Sequence, residues 1–172
     1  APSAPTPSTP FASSIAAAAQ APGTDALIAE AVQVLPDDLR AGATVVTYDQ
    51  ATGARRAIRQ GTNFLECQPR DPADGFARCY HKLFGPRRDL EAKLKAEKKT
   101  EEQIGQAVAA AIKAGTIAPT PPGVMSYRHY DKRDRIQNLW VWSTPNSTPE
   151  SVGVSTVSQR NEALEGRGLP WM

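Results

Sequence analysis

The sequence predicts an α+β fold: an antiparallel β-sheet of about five or six strands, two or three helices packed on one side, and one disulfide. Three observations predict it. Short segments rich in β-branched and aromatic residues alternate with Gly, Pro, Asn and Asp turns. Other stretches carry apolar residues at helical spacing. Two cysteines, Cys67 and Cys79, flank a turn-rich interval containing Pro69, Pro72 and Gly75.

Thr24 is a good N-cap, with Asp25 in the first turn behind it. Leu27, Ile28, Ala31, Val32 and Leu35 then recur on one helical face. Pro36 opens a second short turn, and Gly42 ends it. Ala43 to Asp49 is β-branched and reads as a strand. Thr52-Gly53 turns the chain, Ala54 to Gln60 returns, Gly61 to Asn63 turns again, and Phe64 to Cys67 is a third strand. The expectation is an antiparallel meander, with Arg55 and Arg59 helping to make one face of its second strand strongly polar. Phe76 to His81 is a short strand that a Cys67–Cys79 bridge would tie to the third.

Gly85-Pro86 breaks the chain before a charged helix, Arg87 to Lys99, with a thin apolar stripe of Leu83, Leu90 and Leu94. Asp89 and Glu91 each precede a lysine, Lys93 and Lys95, by four residues, the favourable order for helical ion pairs. Thr100 with Gln103 forms a capping box for the next helix. Ile104, Ala107, Val108, Ala111 and Ile112 are its buried stripe, and Gly115 stops it. Beyond the Pro119 to Gly123 connector, Val124 to Tyr130 and Ile136 to Ser143 are strands joined by a polar turn, Asp131 to Asp134. In the later strand Ile136, Asn138, Trp140 and Trp142 share one face and Leu139 and Val141 the other, which reads as an interior strand. Ser143 to Glu150 reads as loop, Val152 to Val157 as a weak strand, and Leu169 to Met172 as an apolar, docked end.

The chain of 172 residues divides into an Ala/Pro/Ser-rich, disordered tail over 1–22 and a single α+β domain over 23–172. Hydrophobic residues make up 40% and charged ones 22%, enough apolar chain to fold most of it. The net charge of +2, from 20 basic against 18 acidic residues, argues against nucleic acid or an anionic membrane as partner. The longest uncharged run, up to Thr24, is Ala, Pro, Ser and Thr rather than long apolar residues, so no transmembrane segment is expected. The chain begins at Ala1. Removal of a signal peptide would leave such an end, and so would an excised fragment. An even cysteine count at close spacing favours a disulfide, and with it an oxidising compartment; two unrelated buried thiols are the alternative. A loop of this size contributes about 3 kcal/mol on the chain-entropy estimate.

Chemistry is sparse. Cys79 and His81 would share a strand face, but an oxidised Cys79 is no nucleophile. His129, Asp131 and Asp134 lack a metal-ligand spacing, so the metal expectation is none, and no cofactor is expected. Gly153 to Val157 lacks the second glycine of a nucleophile elbow, and no phosphate-binding or dinucleotide glycine loop is present. Asp37-Asp38 and Glu101-Glu102 sit in first helical turns, where the helix dipole explains them. Asn146-Ser147-Thr148 matches a glycosylation acceptor, which the Pro149 behind it makes incidental. Tyr127, Arg128, His129, Tyr130 and Lys132 interleave aromatics with cations, a pattern suited to a glycan or single strand, which Asp131 and Asp134 dilute. Tyr127, His129, Tyr130, Trp140 and Trp142 are the candidate binding residues. A core role for the two tryptophans is the plainer alternative.

Leu35-Pro36, Leu39 to Val45, Arg59 to Phe64 with Cys67, Pro122 to Tyr127 and Leu169 to Met172 together resemble a family of exported, signal-peptide-bearing bacterial proteins with no assigned activity. The resemblance covers most of the chain after Thr24 in scattered blocks. It implies a periplasmic or secreted location and supplies no catalytic residues. The sequence reading is therefore a disulfide-stapled monomer of this kind, non-enzymatic, that binds a small molecule or a protein. The competing reading is a hydrolase using His81 or His129 as general base in a site assembled from distant strands.

Overall fold

The computed structural model describes residues 23–131, 136–158 and 170–172. The expected tail, Leu169 and most of the turn after Asp131 lie outside them. The elements are α1 (Thr24–Val32), α2 (Asp37–Arg40), β1 (Thr44–Tyr48), β2 (Arg55–Arg59), β3 (Leu65–Asp71), β4 (Phe76–His81), a 3-10 turn (Lys82–Phe84), α3 (Gly85–Ala96), α4 (Glu101–Lys113), β5 (Met125–Tyr130), β6 (Asn138–Trp142) and α5 (Pro149–Val152). The fold is α+β, as the sequence predicts. Among the described residues its sheet has six strands, in the order β2-β1-β3-β4-β5-β6.

The sheet is mixed, which corrects the antiparallel meander. β3 does not return against β2. It lies on the far side of β1 and runs parallel to it, with Thr44 opposite Glu66 and Val45 opposite Cys67. The cause is a tight crossing over the start of β1. Asn63 N donates to Gly42 O at 2.9 Å, and Asn63 Nδ2 donates to Leu39 O at 2.9 Å. A Cβ on Gly61 would fall 2.3 Å from Gly42 O, so only glycine lets the backbones pass this closely. Arg59 anchors the crossing by donating to Ala43 O and Arg40 O.

Strand alternation gives the sheet two unlike faces. One carries Val45, Leu65, Cys67, Cys79 and Tyr127 and is covered by Ala31, Val32, Val34 and Leu35 from α1 and the residues after it. Cys67 and Cys79 are directly opposite on β3 and β4, are fully buried, and form the expected disulfide. The other face carries Tyr48, Glu66, Gln68, Arg78 and Tyr80, and α3 lies across it. The helices therefore pack on both sides rather than one. Charge explains the choice, since the charged α3 can cover only a face that offers it partners.

Local corrections are small. Pro86 does not break the chain; it sits in the first turn of α3, where its missing N–H costs nothing. β3 continues through Pro69 to Asp71, with an irregular register after Gln68. Pro149–Val152 is a helical turn, and Ser155 makes a single parallel bridge to Trp171 in place of a strand. Gly23, not Thr24, is the N-cap of α1. The Thr100–Gln103 capping box forms in both directions, at 3.0 and 3.2 Å. No helix among the described residues is long and apolar enough to cross a membrane.

Candidate functional site: an open aromatic edge and a polar cleft

Among the described residues β6 is the last strand of the sheet, which corrects its interior assignment. One of its two apolar faces, that of Trp140 and Trp142, is exposed, and Leu139 and Val141 on the other are half-buried. The opposite edge, β2, carries Arg55, Arg56 and Arg59, charges of the sort that discourage further pairing. β6, Asn-Leu-Trp-Val-Trp, carries no charge and no proline, and its register with β5 is unbroken.

The register fixes which backbone groups are open. Ser143 N donates to Val124 O, and Tyr130 N donates to Gln137 O. Antiparallel pairs alternate between bonded and non-bonded. Leu139 and Val141, opposite Arg128 and Ser126, are therefore the bonded positions. Asn138, Trp140 and Trp142 turn their N–H and C=O away from β5, toward the edge that no described strand covers. The same two tryptophans are 58% and 61% exposed. Trp140 meets the buried Tyr127 ring edge-on at 5.7 Å, which fixes its indole. With Asn138 and the corner Gln33 to Pro36 it lines a shallow groove of about 450 Å³.

Of the five predicted binding residues, Tyr127, His129, Trp140 and Trp142 thus fall on the α1 face. Tyr130 points to the other, where its ring lies 4.9 Å from Phe76. His129 Nδ1 is 2.8 Å from Asn138 Oδ1. His81 Nδ1 accepts from Leu83 N at 3.2 Å, and its ring stacks on Phe64 at 5.6 Å. Neither imidazole meets a serine, aspartate or glutamate in these contacts. Among the described residues no group of three His, Cys, Asp or Glu could hold a metal ion.

A second concavity, about 490 Å³, lies on the opposite face between α3, the β3–β4 hairpin and the β1–β2 turn. Sequence reasoning missed it. Glu66, 3% exposed, pairs with Arg55 and accepts from Tyr80 Oη at 2.9 Å. Gln68 Nε2 donates to Tyr80 Oη at 2.6 Å, and Tyr48 Oη donates to Asp89 at 2.7 Å. Arg87 and Arg88 both reach Glu91, at 2.8 and 2.7 Å. Asp74 lies between Arg78 and Lys95. The expected Asp89–Lys93 and Glu91–Lys95 helical pairs give way to these contacts, because each acid gains a firmer partner.

The network shapes its own ionisation. Burial pushes the Tyr48 and Tyr80 phenols well above the usual tyrosine range, and Asp89 and Glu66 respectively add to it. Burial alone would raise the Asp74 and Glu91 carboxyls. Arg78 with Lys95 and Arg88 with Arg87 outweigh it, so both are held below the usual carboxylate range. The available signal was weak: Glu66, Gln68, Arg78 and Tyr80 alternate with apolar or cysteine positions, a pattern that normally means a solvated face. Comparison with family models, with curated proteins and with solved structures finds nothing that matches this chain.

Proposed function

We propose that the chain is an exported, non-enzymatic binding domain that takes an extended polypeptide segment along the free edge of β6. One observation carries the reading: an uncharged edge strand whose open backbone groups belong to the residues that expose two large indoles. An added strand would hydrogen-bond to Asn138, Trp140 and Trp142, and its alternate side chains would lie over the tryptophans. Main-chain pairing gives affinity and the indoles give selectivity. Each tryptophan, as a buried anchor, contributes about 1.4 kcal/mol, tenfold in affinity. The buried disulfide supports a periplasmic or secreted location. The imidazole contacts give the hydrolase reading no assembled base.

The experiment is selection of phage-displayed 12-residue peptides on the purified domain, followed by indole-fluorescence titration. Selected peptides are expected to shift tryptophan emission, to weaken about tenfold with Trp140→Ala or Trp142→Ala, and to fail when proline replaces alternate residues. Soluble oligosaccharides that bind through the same tryptophans, with no peptide selected, would contradict it.

A further inference from the structure

The open backbone groups of β6 form a self-complementary set. Asn138, Trp140 and Trp142 face the edge that no described strand covers, evenly spaced about Trp140. Consider a second β6 laid antiparallel, with Trp140 opposite the partner's Trp140. Asn138 then stands opposite the partner's Trp142, and Trp142 opposite the partner's Asn138. Every one of these is a pair that exchanges two hydrogen bonds. A slip by one residue sets open groups against groups already bonded to β5, and a slip by two pairs fewer of the three.

Charge permits this pairing at β6 and opposes it at the other edge. The chain is uncharged from Ile136 to Pro149. Along β2, Arg55, Arg56 and Arg59 would meet like charges in a second copy. Pairing through β6 therefore closes at two copies.

Size matches as well. On the α1 face this register sets a short side chain against a long one at both ends. Asn138 leaves open the groove of about 450 Å³ that it lines with Gln33, Pro36, Arg40 and Trp140. The partner's Trp142 would stand beside that groove. Arg40 offers the indole a flat guanidinium, already held by Leu35 O, Gln33 O and Asp37. The two-fold axis fills both grooves at once. It also covers the indoles of Trp140 and Trp142, which are otherwise more than half exposed.

We propose that β6 binds a second copy of this chain, antiparallel about a two-fold axis at Trp140, so that two six-stranded sheets become one. This pairing deepens the reading of β6 as a peptide-binding edge and rests on it. Peptide and second copy use the same amides, so they compete, and the edge is free only in the monomer.

The test is sedimentation equilibrium of the full chain between about 1 µM and about 1 mM. The expected result is a reversible rise to twice the chain mass, with a dissociation constant below about 100 µM. Trp142→Ala removes both copies of an anchor and is expected to weaken the dimer about a hundredfold, the square of the loss for one indole. Cross-linking reads the register. Trp140→Cys is expected to form an intermolecular disulfide on mild oxidation, because the two Cα atoms at the axis stand about 5.5 Å apart. Trp142→Cys is expected to do so only when mixed with Asn138→Cys. A chain still monomeric at about 1 mM, or Trp142→Cys alone cross-linking as readily as Trp140→Cys, would overturn the proposal. Selected peptides binding to such a monomer would leave the edge reading standing. A monomer that takes no peptide would remove both.

Discussion

Replacing Glu66 probes the polar face of the sheet at its most buried acid. The carboxylate joins β2 to β4 across β1 and β3, through Arg55 and Tyr80. Glu66→Ala removes a charge-assisted bond to Arg55, about 1.5–3 kcal/mol, and strands the Tyr80 hydroxyl proton in a site 1% exposed. Breaking one partner of a buried pair costs about 3–5 kcal/mol. The lower end applies, because the Arg55 side chain is 35% exposed and Asp89 stands 3.8 Å away to take part of its charge. The expected loss is about 3 kcal/mol, or a melting temperature lower by roughly 6–12 °C for a domain of this size. Glu66→Gln keeps an acceptor for Tyr80 and is expected to lose about half as much, roughly 1.5 kcal/mol. Chemical denaturation followed by circular dichroism measures both. Glu66→Ala within about 0.5 kcal/mol of the parent would refute the reasoning, since a solvated surface acid behaves that way. A Glu66→Ala, Tyr80→Phe cycle is expected to show coupling of about 1 kcal/mol.

The remaining predictions concern the staple and the acid and alkaline limits. Without reductant the protein is expected to carry no alkylatable thiol, and Cys67→Ala with Cys79→Ala to lower stability by about 3 kcal/mol; two reactive thiols in the native protein would contradict this. Asp74 and Glu91 titrate lower when folded than when unfolded. Their stabilisation is therefore present at neutral pH and lost as the pH falls through their folded values, so Asp74→Asn and Glu91→Gln are expected to flatten the acid limb of a stability–pH curve. Tyr48 and Tyr80 are shifted the other way. Their contribution is complete below the unfolded tyrosine value, about 10, and is lost as the pH rises beyond it. Tyr80→Phe is expected to flatten the alkaline limb.

Elements set by local chemistry were legible in the sequence. Thr100 and Gln103 close their capping box because both bonds lie within four residues. The same holds for the pairing of β3 with β4, which needs only a short hairpin and two opposed cysteines. What escaped was the order of strands. A Gly-Thr-Asn turn reads alike whether the chain doubles back or crosses over, and the difference lies in how Gly61 meets Gly42, which is distant in sequence. Helical ion pairs failed for a related reason: Asp89 and Glu91 found Tyr48, Arg87 and Arg88 at better geometry than their lysines. The aromatic candidates were recognisable by type, but Tyr130 went to the opposite face because strand parity separates it from His129 and Tyr127.

The most direct measurement of the edge-binding reading is residue-resolved amide hydrogen exchange along β6, with and without a selected peptide. In the free domain, Leu139 and Val141 amides are expected to be protected by β5, and Trp140 and Trp142 amides to exchange fast. Peptide at saturation is expected to protect Trp140 and Trp142 and to leave Leu139 and Val141 as they were. Trp140 and Trp142 amides that are slow in the free monomer, or that stay fast in the complex, would contradict the account.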